Sequence, residues 1–163
     1  MSLAKEVIEL LAGKKLKLAI AESLTGGLLS SELVSVAGAS EVVLGTVVAY
    51  QTGLKSTLLG VNAELLEANG AVDPEVATQM AEGIRSRLSL QLLLPTEQIL
   101  GISTTGVAGP DEQDGQPVGT VYLAISGPKG PKVWAHVFTG NRNQIRQQSV
   151  EATFEHIREY FAK

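Results

Sequence analysis

Apolar and polar residues recur along the chain with two periods, which predict helices interleaved with strands. Apolar positions three or four residues apart, such as Val76, Met80 and Ile84, predict helices with one buried face. Short β-branched runs between turn residues predict strands. We predict helices ending at residue 13 and covering 28–36, 62–70, 73–88 and 141–161, a short helix or turn at 53–59, and strands at 16–21, 42–50, 99–107, 119–126 and 132–138.

The order of these elements predicts a three-layer α/β/α sandwich with a mixed, mostly parallel sheet. Helices alternate with the first three strands, and the turn-forming residues 127–131 favour an antiparallel hairpin near the C-terminus. The strand at 42–50 is continuously apolar, which predicts that it is buried. The polar stretch 111–116 has no core-forming residues and predicts a mobile loop. The 163 residues suit one domain, 1–163.

Composition narrows the chemistry open to this domain. The sequence has no cysteine, which excludes disulfides, thiolate nucleophiles and cysteine-based zinc sites. His136 and His156 have no metal-type spacing, so we expect structural or exposed histidines, no metal site and no cofactor, and a Ser-His-Asp triad is not favoured. The net charge of −4 and the absence of a long apolar run predict no nucleic-acid or membrane partner. The N-terminal residues lack the apolar core of a secretion signal, so we expect a cytoplasmic protein.

The first segment with possible chemistry surrounds Ser23. The turn at residues 22–27 leads from the first strand into a helix, so a hydroxyl and free backbone N–H groups would face one point. This suits a nucleophile whose oxyanion hole is formed by N–H groups of Thr25, Gly26 and Gly27, or an anion-binding loop. The alternative is that Ser23 caps the helix and the glycines only allow close packing.

The second segment places Tyr50 and Lys55 after the second strand. Because cysteine is absent and histidine is scarce, Lys55 is the obvious base for a serine nucleophile. That role requires burial or a cationic neighbour to lower its pKa. The alternative is a solvated lysine on a short helix.

Two further segments are candidates for binding a substrate. Thr105 and Gly106 lie in a run of hydroxyl residues and glycines at 103–110, which either holds a ribose or phosphate or forms an ordinary turn. Arg142 and Arg146 lie one turn apart at the start of the last helix, where arginine is usually unfavourable. They indicate either an anionic ligand or an ordinary surface helix.

Together these segments resemble the CinA C-terminal-domain family, the nicotinamide-nucleotide amidohydrolases. The resemblance extends from about Leu16 to the last helix. The family motifs occur in order: A-E-S-x-T-G-G at 21–27, Y-x-x-x-x-K at 50–55, K-x-x-L-G-V at 55–61 with one extra position, G-A-V-S nearly met at 70–73, T-G-x-A-G-P at 105–110, P-V-G-T-V at 117–121, and G-D-R-x-x-I-R as GNRNQIR at 140–146.

The resemblance implies a self-associating α/β/α sandwich, a dimer or larger homo-oligomer, that acts on a small pyridine nucleotide. The implied reaction converts nicotinamide mononucleotide to nicotinic acid mononucleotide and ammonia without a metal or redox cofactor. It implies Ser23 as nucleophile, Lys55 as base and Tyr50 as a proton relay or orienting hydroxyl. The residues implied to bind the substrate, with the arginines facing its phosphate, are Thr25, Gly26, Gly27, Thr105, Gly106, Arg142 and Arg146.

Four departures from the family pattern bear on these expectations. Leu24 stands where the family often has cysteine and Asp73 where it has serine, and we expect small effects from both. Asn141 replaces an aspartate, which removes a negative charge near the expected phosphate and alters how Arg142 is held. The acidic loop 111–114 is expected to disfavour a phosphate nearby.

Some family members carry this domain behind a pyrophosphatase-like domain that has no counterpart in this sequence, so we expect the chain to act alone. Two rival functions remain. One is a catalytically silent module that binds or senses a pyridine nucleotide, and the other is a structural or assembly domain that binds none. The combination of Ser23, Tyr50 and Lys55 favours an enzyme over both.

Overall fold

The structure is a computed structural model that describes residues 2–162. These residues form α-helices, strands and two short 3₁₀-helices at Ala39–Glu41 and Thr96–Gln98. The α-helices are α1 (Leu3–Gly13), α2 (Leu28–Val34), α3 (Thr52–Leu59), α4 (Ala63–Asn69), α5 (Pro74–Leu92) and α6 (Arg142–Phe161). The strands are β1 (Lys17–Glu22), β2 (Val43–Val48), β3 (Ile99–Gly106), β4 (Thr120–Gly127) and β5 (Gly130–Val137).

The five strands form one sheet in the order β2-β1-β3-β4-β5. Strands β2, β1 and β3 are parallel, whereas β4 is antiparallel to both β3 and β5. Four strands therefore point the same way, which confirms the mixed, mostly parallel sheet. The predicted hairpin is present, but Gly127 pairs with Gly130, so its turn is shorter than the five residues expected.

Helices cover both faces of the sheet, which confirms the three-layer sandwich. An apolar core lies on each face of the sheet, and alternate side chains of β1 point into one or the other. Leu18 and Ile20 pack with α1, α2 and α6, whereas Ala19 and Ala21 pack with α3, α4 and α5. This strand is apolar at successive positions because both of its faces are covered. Within residues 2–162, no helix combines the length and the hydropathy needed to cross a membrane.

Two local predictions differ from the structure. Strand β2 is only partly buried, and Val48 is 40% exposed. It was expected to be fully buried, but it lies at the edge of the sheet and pairs only with β1. The polar loop expected to be mobile is hydrogen-bonded instead: Gln113 and Gln116 pair with each other, and the Asp114 carboxylate accepts a hydrogen bond from the Ala71 N–H.

Candidate active site

The carboxyl ends of β1, β2 and β3 meet at one edge of the sheet, where ligands bind in open α/β folds. A cavity of about 510 Å³ lies at this edge. Its lining includes Ser23, Tyr50, Ala71, Thr105 and Arg142. The fold thus brings five segments that are far apart in the sequence to a single cavity.

Lys55 contacts the Ser23 hydroxyl directly. Its Nζ donates hydrogen bonds to Ser23 Oγ at 2.9 Å and to the carbonyl oxygen of Ala49 at 2.8 Å. Lys55 is 0% exposed and Ser23 is 7% exposed. The alternative of a solvated lysine on a short helix is therefore wrong, because α3 directs Lys55 inward beneath the Ser23 turn.

Burial lowers the pKa of Lys55 from 10.5 to about 8, although the negative charge of Asp114 raises it in part. With this value, roughly a tenth of the Lys55 side chains carry a neutral amine at pH 7. A neutral amine accepts a proton, whereas an ammonium only donates. The pair can therefore move a proton between Ser23 and Lys55 near neutral pH.

Strand β3 holds the Ser23 turn in place. The Ser23 N–H donates to the Thr104 carbonyl oxygen at 3.0 Å and lies 3.3 Å from Thr104 Oγ1. The same Thr104 hydroxyl is 2.8 Å from the hydroxyl of Thr25. Sequence reasoning gave Thr104 no separate role, and its only signal was its place in the hydroxyl-rich run beside Thr105.

A buried carboxylate, that of Glu22, occupies the start of α2. Its oxygens accept hydrogen bonds from the N–H groups of Gly27 at 3.0 Å, Leu29 at 3.2 Å and Ser30 at 2.9 Å. A carboxylate at a helix N-terminus satisfies the unpaired N–H groups and the dipole together. Glu22 was part of the sequence motif, but its capping role was missed because it precedes its N–H partners by five or more residues.

This arrangement corrects the predicted oxyanion hole. The N–H of Gly26 donates to the Ser23 carbonyl oxygen at 3.1 Å, and that of Gly27 donates to Glu22 at 3.0 Å, so neither is free for a ligand. Both glycines have positive φ values, +57° and +97°, which explains the residue type. Among residues 2–162, the N–H groups of Leu24 and Thr25 have no protein acceptor.

The two arginines have different positions. Arg142 lines the cavity, and its guanidinium donates to the Gly109 carbonyl oxygen and to the Tyr50 hydroxyl, the latter at 2.7 Å. Arg146 does not line the cavity. It donates to the carbonyl oxygens of Leu24 and Thr25, both at 2.9 Å. The structure gives no support to the expected phosphate contact of Arg146, because this residue lies outside the cavity lining and its guanidinium contacts the backbone of the Ser23 turn.

Tyr50, Thr105 and Gly106 all border the cavity, and each has a contact within the protein. Tyr50 is 58% exposed, and its hydroxyl bonds to Arg142, not to Ser23 or Lys55. The Thr105 hydroxyl donates to the Ala71 carbonyl oxygen at 2.7 Å. A Cβ on Gly106 would lie 2.6 Å from the Thr120 carbonyl oxygen, so glycine is required there for strand packing.

The sequence and the fold both match proteins of one family. Residues 1–161 match the family model described as the CinA C-terminal domain. The chain belongs to the CinA C-terminal domain family. This CinA domain is 40% identical over 161 residues to a CinA-like protein from Frankia casuarinae. The match covers 99% of the chain and 35% of that relative, so the domain spans about a third of the relative's length.

Two solved structures share the fold over nearly the whole chain. A competence-damaged protein (CinA) superfamily protein from Klebsiella pneumoniae has a TM-score of 0.87 at 29% identity and covers 96% of this chain and 94% of that chain. The competence/damage inducible protein CihA from Agrobacterium tumefaciens has a TM-score of 0.86 at 32% identity, with coverages of 96% and 92%. These names refer to competence and damage and state no reaction.

The structure shows the surroundings of the three residues at which this CinA domain differs from the family motifs. Leu24 is buried and packs in an apolar cluster. Asp73 caps α5 by accepting from the N–H groups of Glu75 and Val76. Asn141 caps α6 in a reciprocal pair with Gln144. Both polar replacements therefore serve as helix caps.

The two histidines lie outside the cavity of this CinA domain. Their Nε2 atoms are 2.7 Å apart, and neither His136 nor His156 lines the cavity. The side-chain partner of the Ser23 hydroxyl is Lys55. A Ser-His-Asp triad is therefore absent from residues 2–162. Ser23 and Lys55 are the pair that can transfer a proton beside the cavity.

Proposed function

We propose that this CinA domain hydrolyses the carboxamide of nicotinamide mononucleotide to nicotinic acid mononucleotide and ammonia. The observation that carries the proposal is the 2.9 Å contact between Ser23 Oγ and the buried Nζ of Lys55 at the cavity. A hydroxyl next to a lysine of lowered pKa is an activated nucleophile. The family resemblance supplies the substrate, and the geometry supports the reaction type.

In the proposed first step, neutral Lys55 accepts the proton of Ser23 Oγ, which attacks the carboxamide carbon. The resulting oxyanion would be stabilised by the unpaired N–H group of Leu24, which lines the cavity, whereas Thr25 is fully buried and does not line it. The Lys55 ammonium then gives its proton to the departing nitrogen, and ammonia leaves. The carbonyl carbon remains bound to Ser23 as an ester.

In the second step, Lys55 accepts a proton from a water molecule that attacks this ester. The carbon–oxygen bond to Ser23 breaks, the proton returns to Ser23 Oγ, and the carboxylic acid is released. Lys55 Nζ donates a hydrogen bond to the Ala49 carbonyl oxygen at 2.8 Å, and this bond keeps the amine in place during both steps. No atom beyond substrate and water is consumed.

Arg142 is the residue that we propose to bind the nucleotide phosphate. Its guanidinium carries five N–H donors, so hydrogen bonds to Gly109 and Tyr50 leave others for a ligand. The bond from Arg142 supports an orienting role for Tyr50 and not a proton relay. Asp111 and Glu112 also line the cavity, and their charges oppose an anion.

The burial of Lys55 favours an enzyme over a silent nucleotide-binding module. Placing an ammonium in the interior costs free energy, and a module that only binds a nucleotide gains nothing from it. Strongly shifted pKa values beside a cavity are typical of catalytic groups. A structural domain would have still less use for such a lysine.

An ammonia-release assay with nicotinamide mononucleotide, nicotinamide, nicotinamide riboside and NAD tests the proposal. We expect the fastest release from nicotinamide mononucleotide, and none from the Ser23→Ala variant. Binding of the mononucleotide without ammonia release would establish the silent module instead. An absence of both binding and release would establish the structural domain.

A further inference from the structure

The turn that carries Ser23 has most of its polar backbone groups bonded within the protein. The Ser23 carbonyl oxygen accepts a backbone hydrogen bond at 3.1 Å. The carbonyl oxygens of Leu24 and Thr25 both accept from Arg146 at 2.9 Å. Among residues 2–162, the N–H groups of Leu24 and Thr25 have no protein acceptor, and Leu24 is the one of the two that lines the cavity. The turn is therefore held by its neighbours, and the Leu24 N–H is left for a ligand.

A single residue of β3, Thr104, contacts both ends of this turn. Its carbonyl oxygen accepts from the Ser23 N–H at 3.0 Å, and its Oγ1 lies 3.3 Å from the same N–H. Its hydroxyl is also 2.8 Å from the hydroxyl of Thr25. Both threonines are 0% exposed. Because a buried hydroxyl without a partner costs free energy, the two hydroxyls keep each other in place.

We propose that Thr104 is a positioning residue, whose hydroxyl pairs with that of Thr25 to keep Ser23 Oγ and the Leu24 N–H in place for attack on a carboxamide. The inference rests on the proposed function. Ser23 supplies the nucleophile and the next residue supplies the oxyanion donor, so a shift of the turn displaces both. Catalytic groups must be held to within about 0.5 Å of the productive geometry, and a misplacement of about 1 Å can cost about 100-fold in rate.

The base and the nucleophile are held from opposite sides of β1. Lys55 Nζ donates to the Ala49 carbonyl oxygen, which follows β2, whereas Thr104 belongs to β3. Strand β1 lies between β2 and β3 in the sheet. Losing the Thr104 hydroxyl would therefore move Ser23 relative to Lys55. Neither Thr104 nor Thr25 lines the cavity, so the change should affect kcat and leave KM nearly unchanged.

Conservative substitutions of the two threonines test the proposal. Thr104→Val removes the hydroxyl and keeps a similar shape, and should lower kcat for ammonia release from nicotinamide mononucleotide about 10- to 100-fold with KM within about twofold. Thr104→Ser keeps the hydroxyl and should retain kcat within about threefold. Thr25→Val should resemble Thr104→Val. The variant with both valines should be no worse than either one, because each removes the same contact.

Thr153→Val is the matched control. Thr153 is also a buried threonine, and its hydroxyl donates to the Ser149 carbonyl oxygen at 2.7 Å within α6, outside the cavity lining. Its loss should lower thermal stability and leave kcat unchanged. Two results would overturn the positioning role: a normal kcat in folded Thr104→Val protein, or an equal loss of kcat in Thr104→Ser.

A second measurement does not depend on the nucleotide substrate. Phenylmethanesulfonyl fluoride reacts with an activated serine, whose Oγ loses its proton and bonds to sulfur while fluoride leaves. Peptide mass spectrometry gives the rate of this modification at Ser23, which Thr104→Val should slow about tenfold or more and Thr153→Val should not change.

The two measurements separate this inference from the proposed function. Slower Ser23 modification in Thr104→Val, with no ammonia release even by the wild-type protein, would refute the proposed substrate and support the positioning role. An unchanged modification rate, or no modification of wild-type Ser23, would overturn the positioning role. If thermal melts show that Thr104→Val is unfolded, Thr25→Val provides the decision by the same two measurements.

Discussion

The domain contains two pairs of side chains capable of proton transfer, and they lie in different surroundings. Lys55 contacts Ser23 at the edge where three parallel strands end, beside a cavity. His136 and His156 contact each other on the outer strand and the last helix. Imidazole is ordinarily the better base at neutral pH, because its pKa is near 6.5 and that of lysine near 10.4. In this domain the residue beside Ser23 is Lys55, and burial lowers its otherwise high pKa.

The comparison shows that location can outweigh the ordinary reactivity of a residue type. Burial brings the pKa of Lys55 to about 8, within the range useful to a general base. An ordinary imidazole would need no such adjustment, but His136 and His156 do not contact Ser23.

Removing either member of the serine–lysine pair should have the largest effect. Ser23→Ala and Lys55→Ala should abolish ammonia release, and the double variant should be no worse than either, because the two side chains act as one unit. Lys55→Arg should also fail, since guanidinium keeps its proton. Lys17→Arg, at the opposite end of β1, is the matched control and should retain activity. Near-normal ammonia release by folded Lys55→Arg protein would rule out lysine as the base.

Substitution of Arg142 and of Arg146 should have different effects on substrates with and without a phosphate. Arg142→Ala should lower kcat/KM for nicotinamide mononucleotide by about 10- to 150-fold, the equivalent of a lost charge-assisted contact of roughly 1.5–3 kcal/mol. It should affect nicotinamide riboside, which lacks the phosphate, far less. Arg146→Ala should lower kcat/KM for both substrates by the same factor, because Arg146 holds the Ser23 turn. Equal losses from Arg142→Ala on both substrates would remove that residue from the phosphate site.

Activity should rise with pH as Lys55 loses its proton. The pKa of about 8 means that the neutral fraction increases as pH rises through 8. Between pH 7 and pH 9, kcat/KM should increase roughly tenfold if the neutral amine is the active form. A profile measured from pH 6 to 9.5 gives the midpoint. A flat profile, or one that rises near pH 6.5 as a histidine would, contradicts the lysine mechanism.

Asp114→Asn should have a smaller effect in a defined direction. The Asp114 charge raises the pKa of Lys55, so removing the charge should move the midpoint of the pH profile to a lower value. Asparagine keeps an oxygen that can accept from the Ala71 N–H, which Asp114 does at 3.1 Å. Activity at pH 7 should therefore increase a few-fold while thermal stability stays similar. A midpoint that stays in place would show that Asp114 does not act on Lys55.

Chelation should have no effect on amide hydrolysis. The proposed steps use Ser23, Lys55 and water, and the histidine pair lies outside the cavity. Ammonia release measured with and without EDTA should agree within error. Loss of activity in EDTA that a divalent ion restores would mean that a metal ion takes part in the reaction.

Much of the fold could be predicted from patterns among neighbouring residues. The three-layer sandwich, the hairpin and the caps Asp73 and Asn141 were predictable because period, turn chemistry and capping act over a few neighbouring residues. The burial of β2 was mispredicted because an apolar run does not reveal whether a strand is central or at an edge. Among site residues, Ser23 and Lys55 were identified by their positions at predicted strand ends.

The remaining features depend on contacts between distant segments. The layer order, the cavity at the strand ends and the candidate residues could all be predicted from the sequence, because each depends on the local order of elements along the chain. The contact of Arg146 with the Ser23 turn, the hydrogen bond from the Gly27 N–H to Glu22 and the contact between His136 and His156 were visible only in the folded chain. A hydrogen bond requires packing to bring its donor and acceptor to about 3 Å, within a few tenths of an ångström, and spacing along the chain does not encode that distance.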